Sequence, residues 1–267
     1  VQRVRLRYTK RGRLRFTSHR DFQRAFERAL RRSEVPMAYS AGFTPHPKVS
    51  YANAAPTGTA SEAEYLEIAL AERRDPEELR ADLDASLPPG LDIVDAVEAR
   101  TPDFAELLHA SHWELRLDGV DPADAARAVA AFLAREHVEV SRQTKKGLRA
   151  FDARAAVVSL RTLEAQEARE CPIRGSDRPG PSLCAILRLV VRHYTPAVRP
   201  DDVLSGLRAT ADLAPPVPVA VTRLAQGPLD EETGTVNDPF APDRDAVLAA
   251  SPTAAGQQAA AAPGITG

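Results

Sequence analysis

Apolar and basic residues alternate from the start of the chain. In VRLRYT, Val4, Leu6 and Tyr8 stand against Arg3, Arg5 and Arg7. A period of two predicts a half-buried strand, here with one basic face. After a KRG turn and a short LRF continuation the period lengthens. Phe22, Phe26 and Leu30, joined by Ala25 and Ala29, recur at helical spacing, and Arg20, Arg24, Arg28 and Arg31 fall on the opposite side. Ser18, with Asp21 three residues on, reads as a capping box at the start of this helix. A loop punctuated by Pro and Gly follows, then strands at KVSY and EYLEIAL, a helix at PEELRADLDASL and a strand at LDIVDAV. The order β-α-β-β-α-β is that of a ferredoxin-like unit.

The plan recurs in the second half. HWELRL, VEVSRQ with a following segment, CAILRLVVR and VPVAVTRL have strand patterns, and PADAARAVAAFLARE and RPDDVLSGLRA have helical ones. YLEIAL…DPEELRADL…PPGLDIVDAV runs parallel in type to AILRLVV…RPDDVLSGL…PPVPVAVTRL. Each has a strand, a helix opened by proline and two acids, then Pro-Pro and a strand. The expectation is an α+β protein of tandem ferredoxin-like domains with antiparallel sheets, the first over 1–108 and the second over 109–227. Residues 228–267 turn acidic and then rich in Ala, Pro and Gly, the composition of a disordered tail. Residues 167–182 have the composition of a flexible insert.

The 267 residues suffice for two domains, and 43% hydrophobic with 27% charged residues is a globular balance. No apolar run resembles a signal peptide or membrane span, so the expected setting is the cytoplasm, away from membranes. Two cysteines, Cys171 and Cys184, match neither a zinc module nor a disulfide framework. The C-x-x-x-C-x-x-C triad that binds a radical SAM cluster is absent from the sequence, as are P-loop, H-E-x-x-H and G-x-S-x-G patterns. The formal charge of −2 hides an asymmetry. Residues 1–50 carry thirteen basic and three acidic side chains, +10, and residues 51–108 carry four basic and fourteen acidic, −10. Such a dipole suits a polyanion or an acidic partner on one side.

The block GRLRFTSHRDFQRAFERALRRSEVPMAYSAGFTPHPKVSYANAAPTGTASEAEYLEIAL resembles the N-terminal block of the radical-SAM-linked family of uncharacterised bacterial proteins. The similarity rests on F-x-S-H-x-D, the arginine run after it, G-F-x-P-H-P-K and S-E-A-E-Y, and continues more weakly from TKKGLRAFDARAAV to RPDDVLSGL. The resemblance implies an accessory protein, itself without cofactor, that partners a radical SAM protein with a cobalamin-binding domain. That partner would carry the iron–sulfur cluster, SAM and cobalamin, and RNA is the substrate class implied for modification. The tandem plan also resembles CRISPR repeat-processing endoribonucleases, which leaves a stand-alone RNA-binding protein or a metal-independent ribonuclease as the alternative.

Several residues are candidates for binding RNA or another anion. Pro45 and Pro47 stiffen the chain around His46, beside Lys48, with Phe43 and Tyr51 available to stack on a base. Thr17, Ser18, His19 and Arg20 sit where free N–H groups at a helix start attract phosphate. Arg3, Arg5, Arg7, Arg24 and Arg28 extend the basic surface, and Lys145 and Lys146 add to it from the second half. Each group also has a plainer reading: a rigid connector at His46, an ordinary cap at Ser18, solvated faces for the arginines. His46 and Lys48 are expected near the helix start at Ser18, facing Arg20. His19 and His46 would have to meet to act as acid and base. Catalytic residues are otherwise unassigned. Glu62 and Glu64 share a strand face that suits a partner's cations, and no metal site is expected, since no histidine stands near them at ligand spacing. His109, His112, His137 and His193 read as structural.

Overall fold

The opening alternation becomes strand β1 (Gln2–Lys10). Val4, Leu6 and Tyr8 enter a core with Phe22, Phe26 and Leu30 of helix α1 (His19–Arg32) and Leu79 and Leu83 of helix α2 (Pro76–Ser86). The computed structural model describes residues 1–144, 147–164 and 183–250. Strands β2 (Val49–Ala52), β3 (Ala60–Leu70) and β4 (Ile93–Glu98) complete the first half. The second half holds β5 (Ala110–Asp118), α3 (Pro122–Leu133), β6 (Glu139–Thr144), β7 (Gly147–Asp152), β8 (Val157–Thr162), β9 (Cys184–Arg192), α4 (Pro200–Ala211) and β10 (Ala220–Gly227). A last helix, α5 (Ala241–Ala250), follows.

Helix starts obey local chemistry. Ser18 Oγ accepts the Asp21 N–H at 3.1 Å and donates to the Asp21 carboxylate at 2.6 Å. Asp75 and Asp121 cap α2 and α3, each just before a proline that needs no hydrogen-bond partner at the first helical position. At α4 the Asp202 carboxylate reaches back to the Arg199 N–H at 2.7 Å.

The fold is α+β and its sheet is mostly antiparallel, in the order β4-β1-β3-β10-β5-β9-β8, with β2 also paired to β3. Two sheets, one per half, were the expectation; eight of the described strands, drawn from both halves, instead form one. The cause is a mismatch of length. β3 has eleven residues, and β2 covers only Tyr65 to Ile68. The far end of β3 would be an open edge, and β10 takes it in parallel through Thr222 opposite Ala60 and Arg223 opposite Ser61. A second departure concerns VEVSRQ. It lies in β6, which pairs with β7 as a separate hairpin, while β8 takes the place beside β9.

The C-terminal part departs further. Residues 228–250 were expected in the disordered tail, but Phe240 is fully buried against Tyr65 and Phe104 in a small core of its own. Residues 251–267 and the 167–182 insert lie outside the described residues, while the part from Phe240 into α5 packs onto the first half. The reason is Asp243, at the start of α5. It is buried, its Oδ1 accepts the N–H groups of Arg100 and Thr101 at 2.9 Å, and its Oδ2 meets Arg5 at 2.5 Å. Arg5 is equally buried, also bonded to Glu67 at 3.0 Å and to Thr101, with its guanidinium 4.7 Å from the Phe104 ring centre. Gly227 permits the chain to cross back here, because a Cβ would stand 2.2 Å from the Asn237 carbonyl oxygen.

Three stability outcomes follow from these contacts. Asp243→Ala leaves a buried guanidinium without its main counter-charge and should cost about 3–5 kcal/mol in urea unfolding, against a smaller loss for Asp243→Asn; a loss near zero would show that Arg5 is not held in this way. Gly227→Ala forces a backbone shift and should cost about 1–3 kcal/mol, read by the same titration. On β5, burial, followed by the charges of Arg188 and Arg161, pushes the His112 imidazole down to about 4. The unfolded chain therefore binds more protons between the ordinary histidine value and about 4. Stability should be full above about pH 6.5 and fall as the pH drops toward 4. Unfolding curves of His112→Gln should lose part of that slope.

Candidate functional site

The buried stripe of α1 fixes what its other side offers. Phe22 stacks on Tyr8 with ring centres 4.1 Å apart, and Phe26, Ala29 and Leu30 lie buried beside it. Arg20, Arg24, Arg28 and Arg31 are thereby turned to solvent. Arg24 stands 3.9 Å from Asp21. The side chains of Arg20, Arg28 and Arg31, and those of Arg13 and Lys48, make no ion pair among the described residues. Exposed aromatic rings come from the segments before and after α1: Phe16, with the Arg15 guanidinium 4.5 Å from its centre, Tyr39, which borders one depression with Arg31, and a fully exposed Phe43.

The GFTPHPK segment is held by its own backbone. The Ala38 N–H donates to Ala69 O at 2.8 Å and the Ala69 N–H to Lys48 O at 3.0 Å, so both arms of the loop hang from one residue of β3. Across the loop, the Ser40 N–H reaches His46 O at 2.9 Å and the His46 N–H reaches Ser40 Oγ at 3.0 Å. His46 is exposed and borders a shallow depression with Glu27 and Arg31, in the C-terminal half of α1. It does not adjoin the Ser18 end, as was expected. His19 occupies that end, edge-on to Tyr51 at 4.9 Å and 3.1 Å from the Gln23 amide nitrogen. Residues 19 and 31 of a helix are about 18 Å apart along its axis, so the two histidines are not brought together. The anticipated phosphate cradle is also altered, since Asp21 already bonds Ser18 and brings a negative charge to the first turn.

Other candidates are engaged elsewhere. The alternation of β1 sends Arg3, Arg5 and Arg7 to the face away from α1, where carboxylates meet them: Glu67 takes Arg3 at 3.2 Å, Asp95 takes Arg7 at 3.7 Å, and Arg5 is buried on Asp243. The basic surface therefore does not run from strand to helix. Tyr51 packs against His19 and Phe22, and burial, with Glu27 nearby, pushes its hydroxyl well above the ordinary phenol range. Glu62 is paired with Arg11, and Glu64 is buried on Arg223. Lys145 and Lys146 lie outside the described residues.

One concavity had no motif to announce it. Where β2 leaves β3 and β10 joins, a cleft of about 530 Å³ opens between the 53–59 loop and the segment from β9 into α4. Its floor is polar and buried. Arg223 pairs with Glu64 and lies 5.4 Å from the Trp113 ring centre, and Glu64 also accepts the Ala55 N–H at 3.0 Å. The Gln226 amide donates to Ala63 O at 2.8 Å and accepts from Asn53 at 3.0 Å. His193 Nδ1–H donates to Leu108 O at 2.6 Å, a tautomer that leaves Nε2 to accept the Ser111 hydroxyl at 2.7 Å. Burial lowers the imidazole's proton affinity, and the bond to Leu108 opposes that. Behind this floor the Lys10 amine is also buried, its affinity lowered by desolvation against the pull of Glu64. The only early hint was a run of polar residues, Thr222, Arg223 and Gln226, in a strand otherwise apolar.

Among the described residues no cluster of three histidine, cysteine or acidic side chains is placed to hold a metal ion, and no helix is long and apolar enough to cross a membrane. No curated protein matches the chain. A family model does, over residues 3–200, a span that takes in α1, the GFTPHPK segment and most of the walls of the cleft. The chain thus belongs to the family described as uncharacterized protein conserved in bacteria (DUF2344).

Proposed function

We propose that this protein binds RNA through the outer side of α1 and the loop beside it, as a cytoplasmic, non-catalytic accessory of a cobalamin-type radical SAM enzyme. The observation that carries the RNA reading is the set of cations on one helix side, Arg20, Arg28 and Arg31, that make no ion pair among the described residues, with Tyr39 beside Arg31 and with Phe16 and Phe43 exposed in the flanking segments. Cations track a phosphate backbone and aromatic faces stack on unpaired bases. The enzyme partnership rests on the resemblance of the N-terminal block. We further read each half as a ferredoxin-like unit. In its favour, β4-β1-β3-β2 and β10-β5-β9-β8 have the strand order that two such units would produce, with the β6-β7 hairpin as an addition to the second. The ribonuclease alternative loses its support, since His19 and His46 flank different parts of α1.

Fluorescence anisotropy with labelled single-stranded RNA tests the binding. Affinity should fall with salt, and each of Arg20→Ala and Arg28→Ala should flatten the log–log slope by about 0.7, the share of one single-strand phosphate contact. Affinity that ignores both salt and these substitutions would remove the proposal. Co-purification of the protein with a cobalamin-binding radical SAM enzyme from native cells tests the partnership, and recovery of the protein without it would argue against that part. Incubated RNA should remain intact.

A further inference from the structure

We propose that the cleft between the two halves is a binding site for a nucleoside, separate from the α1 surface and not dependent on it. Its size lies within the ordinary range for small-molecule sites. Its walls combine flat and apolar groups, Trp113, Tyr194, Leu108, Val198 and Val221, which suit a planar ring. Tyr194 is half exposed at the edge, with the Arg192 guanidinium 5.9 Å from its ring centre, and Glu231 holds that arginine at 2.7 and 2.8 Å.

The polar groups narrow the ligand's chemistry. The Trp113 indole forms part of the wall although the residue is more than nine-tenths buried, so a flat ring held by the core backs the cleft. On the opposite lip Asn53, Thr57 and Thr59 offer groups that both donate and accept. At the mouth, Arg199 and Asp201 supply one cation and one anion, and the one other charged side chain that lines the wall among the described residues, Arg223, is neutralised by Glu64. The balance is close to zero. It suits neither a polyphosphate nor a free cation, and an alkyl chain would desolvate the lip without replacing its hydrogen bonds. A nucleobase has a flat face and mixed donors and acceptors along its edge, and a ribose adds hydroxyls for the threonines.

The chain contains one tryptophan, so its emission reports on this wall alone. The test titrates the full protein with adenosine, guanosine, cytidine and uridine, and separately with a short single-stranded RNA, following Trp113 fluorescence. Saturable quenching by at least one nucleoside is expected, and Thr57→Val or Asp201→Asn should weaken it about tenfold, as for a lost hydrogen bond. Both side chains are exposed, so the variants should keep the parent's circular dichroism. Quenching by RNA alone would assign the site to a base extruded from a strand, and quenching by free nucleosides alone to a diffusible ligand. No saturable change with any probe at millimolar concentration would overturn the proposal, as would equal quenching in both variants. RNA anisotropy is read independently, so a failure here is distinct from a failure at α1.

Discussion

β3 is too long for its partner in the first half, and the rest of the architecture follows from how that surplus is covered. Four residues of β2 leave the Ala60 end without a neighbour on one side. Two parallel pairings with β10 are a short ladder, so side chains extend it. Gln226 bonds the Ala63 carbonyl in place of a backbone N–H, and Arg223 reaches Glu64 at the point where β2 turns away. Joining buried charges in this way adds little stability over an apolar contact, but losing either partner would be expensive. The cleft exists because β2 and β10 diverge along the same strand.

Charge pairing separates two kinds of arginine that look alike in the sequence. Arg3, Arg5 and Arg7 meet carboxylates because the alternate face of β1 is overlaid by acidic residues of β3, β4 and α5. Arg20, Arg28 and Arg31 meet none among the described residues, since α1 covers the core on one side and exposes these side chains on the other. A net charge for the segment treats both sets equally. Only the first is committed to the fold.

Local elements were legible because each depends on neighbours in sequence: the alternation of β1, the stripe and Ser18 cap of α1, and the Asp-Pro starts of α2 and α3. The sheet's continuity was hidden, since it depends on comparing the lengths of β2 and β3 and on residues about 160 positions away along the chain. Of the candidate site, the outward arginines of α1 and the exposure of Phe43 and His46 could be read. The position of His46 relative to α1 could not, because it is set by both loop arms bonding to Ala69. The cleft was unreadable for a related reason: Asn53, Trp113, His193 and Arg223 come from four separate segments, each with ordinary local patterning.

The clamp on Arg5 also bears on the order in which the protein can be built. β1 leaves the ribosome well ahead of α5, yet the carboxylate that neutralises its central guanidinium is residue 243. Until α5 has been synthesised, burying Arg5 would leave a charge matched only by the half-buried Glu67. The edge of β3 likewise waits for β10. The first half can collapse around Phe22 and Leu66 early, but its opposite face must stay hydrated until β10 and α5 have been made, and the two halves gain their final packing together.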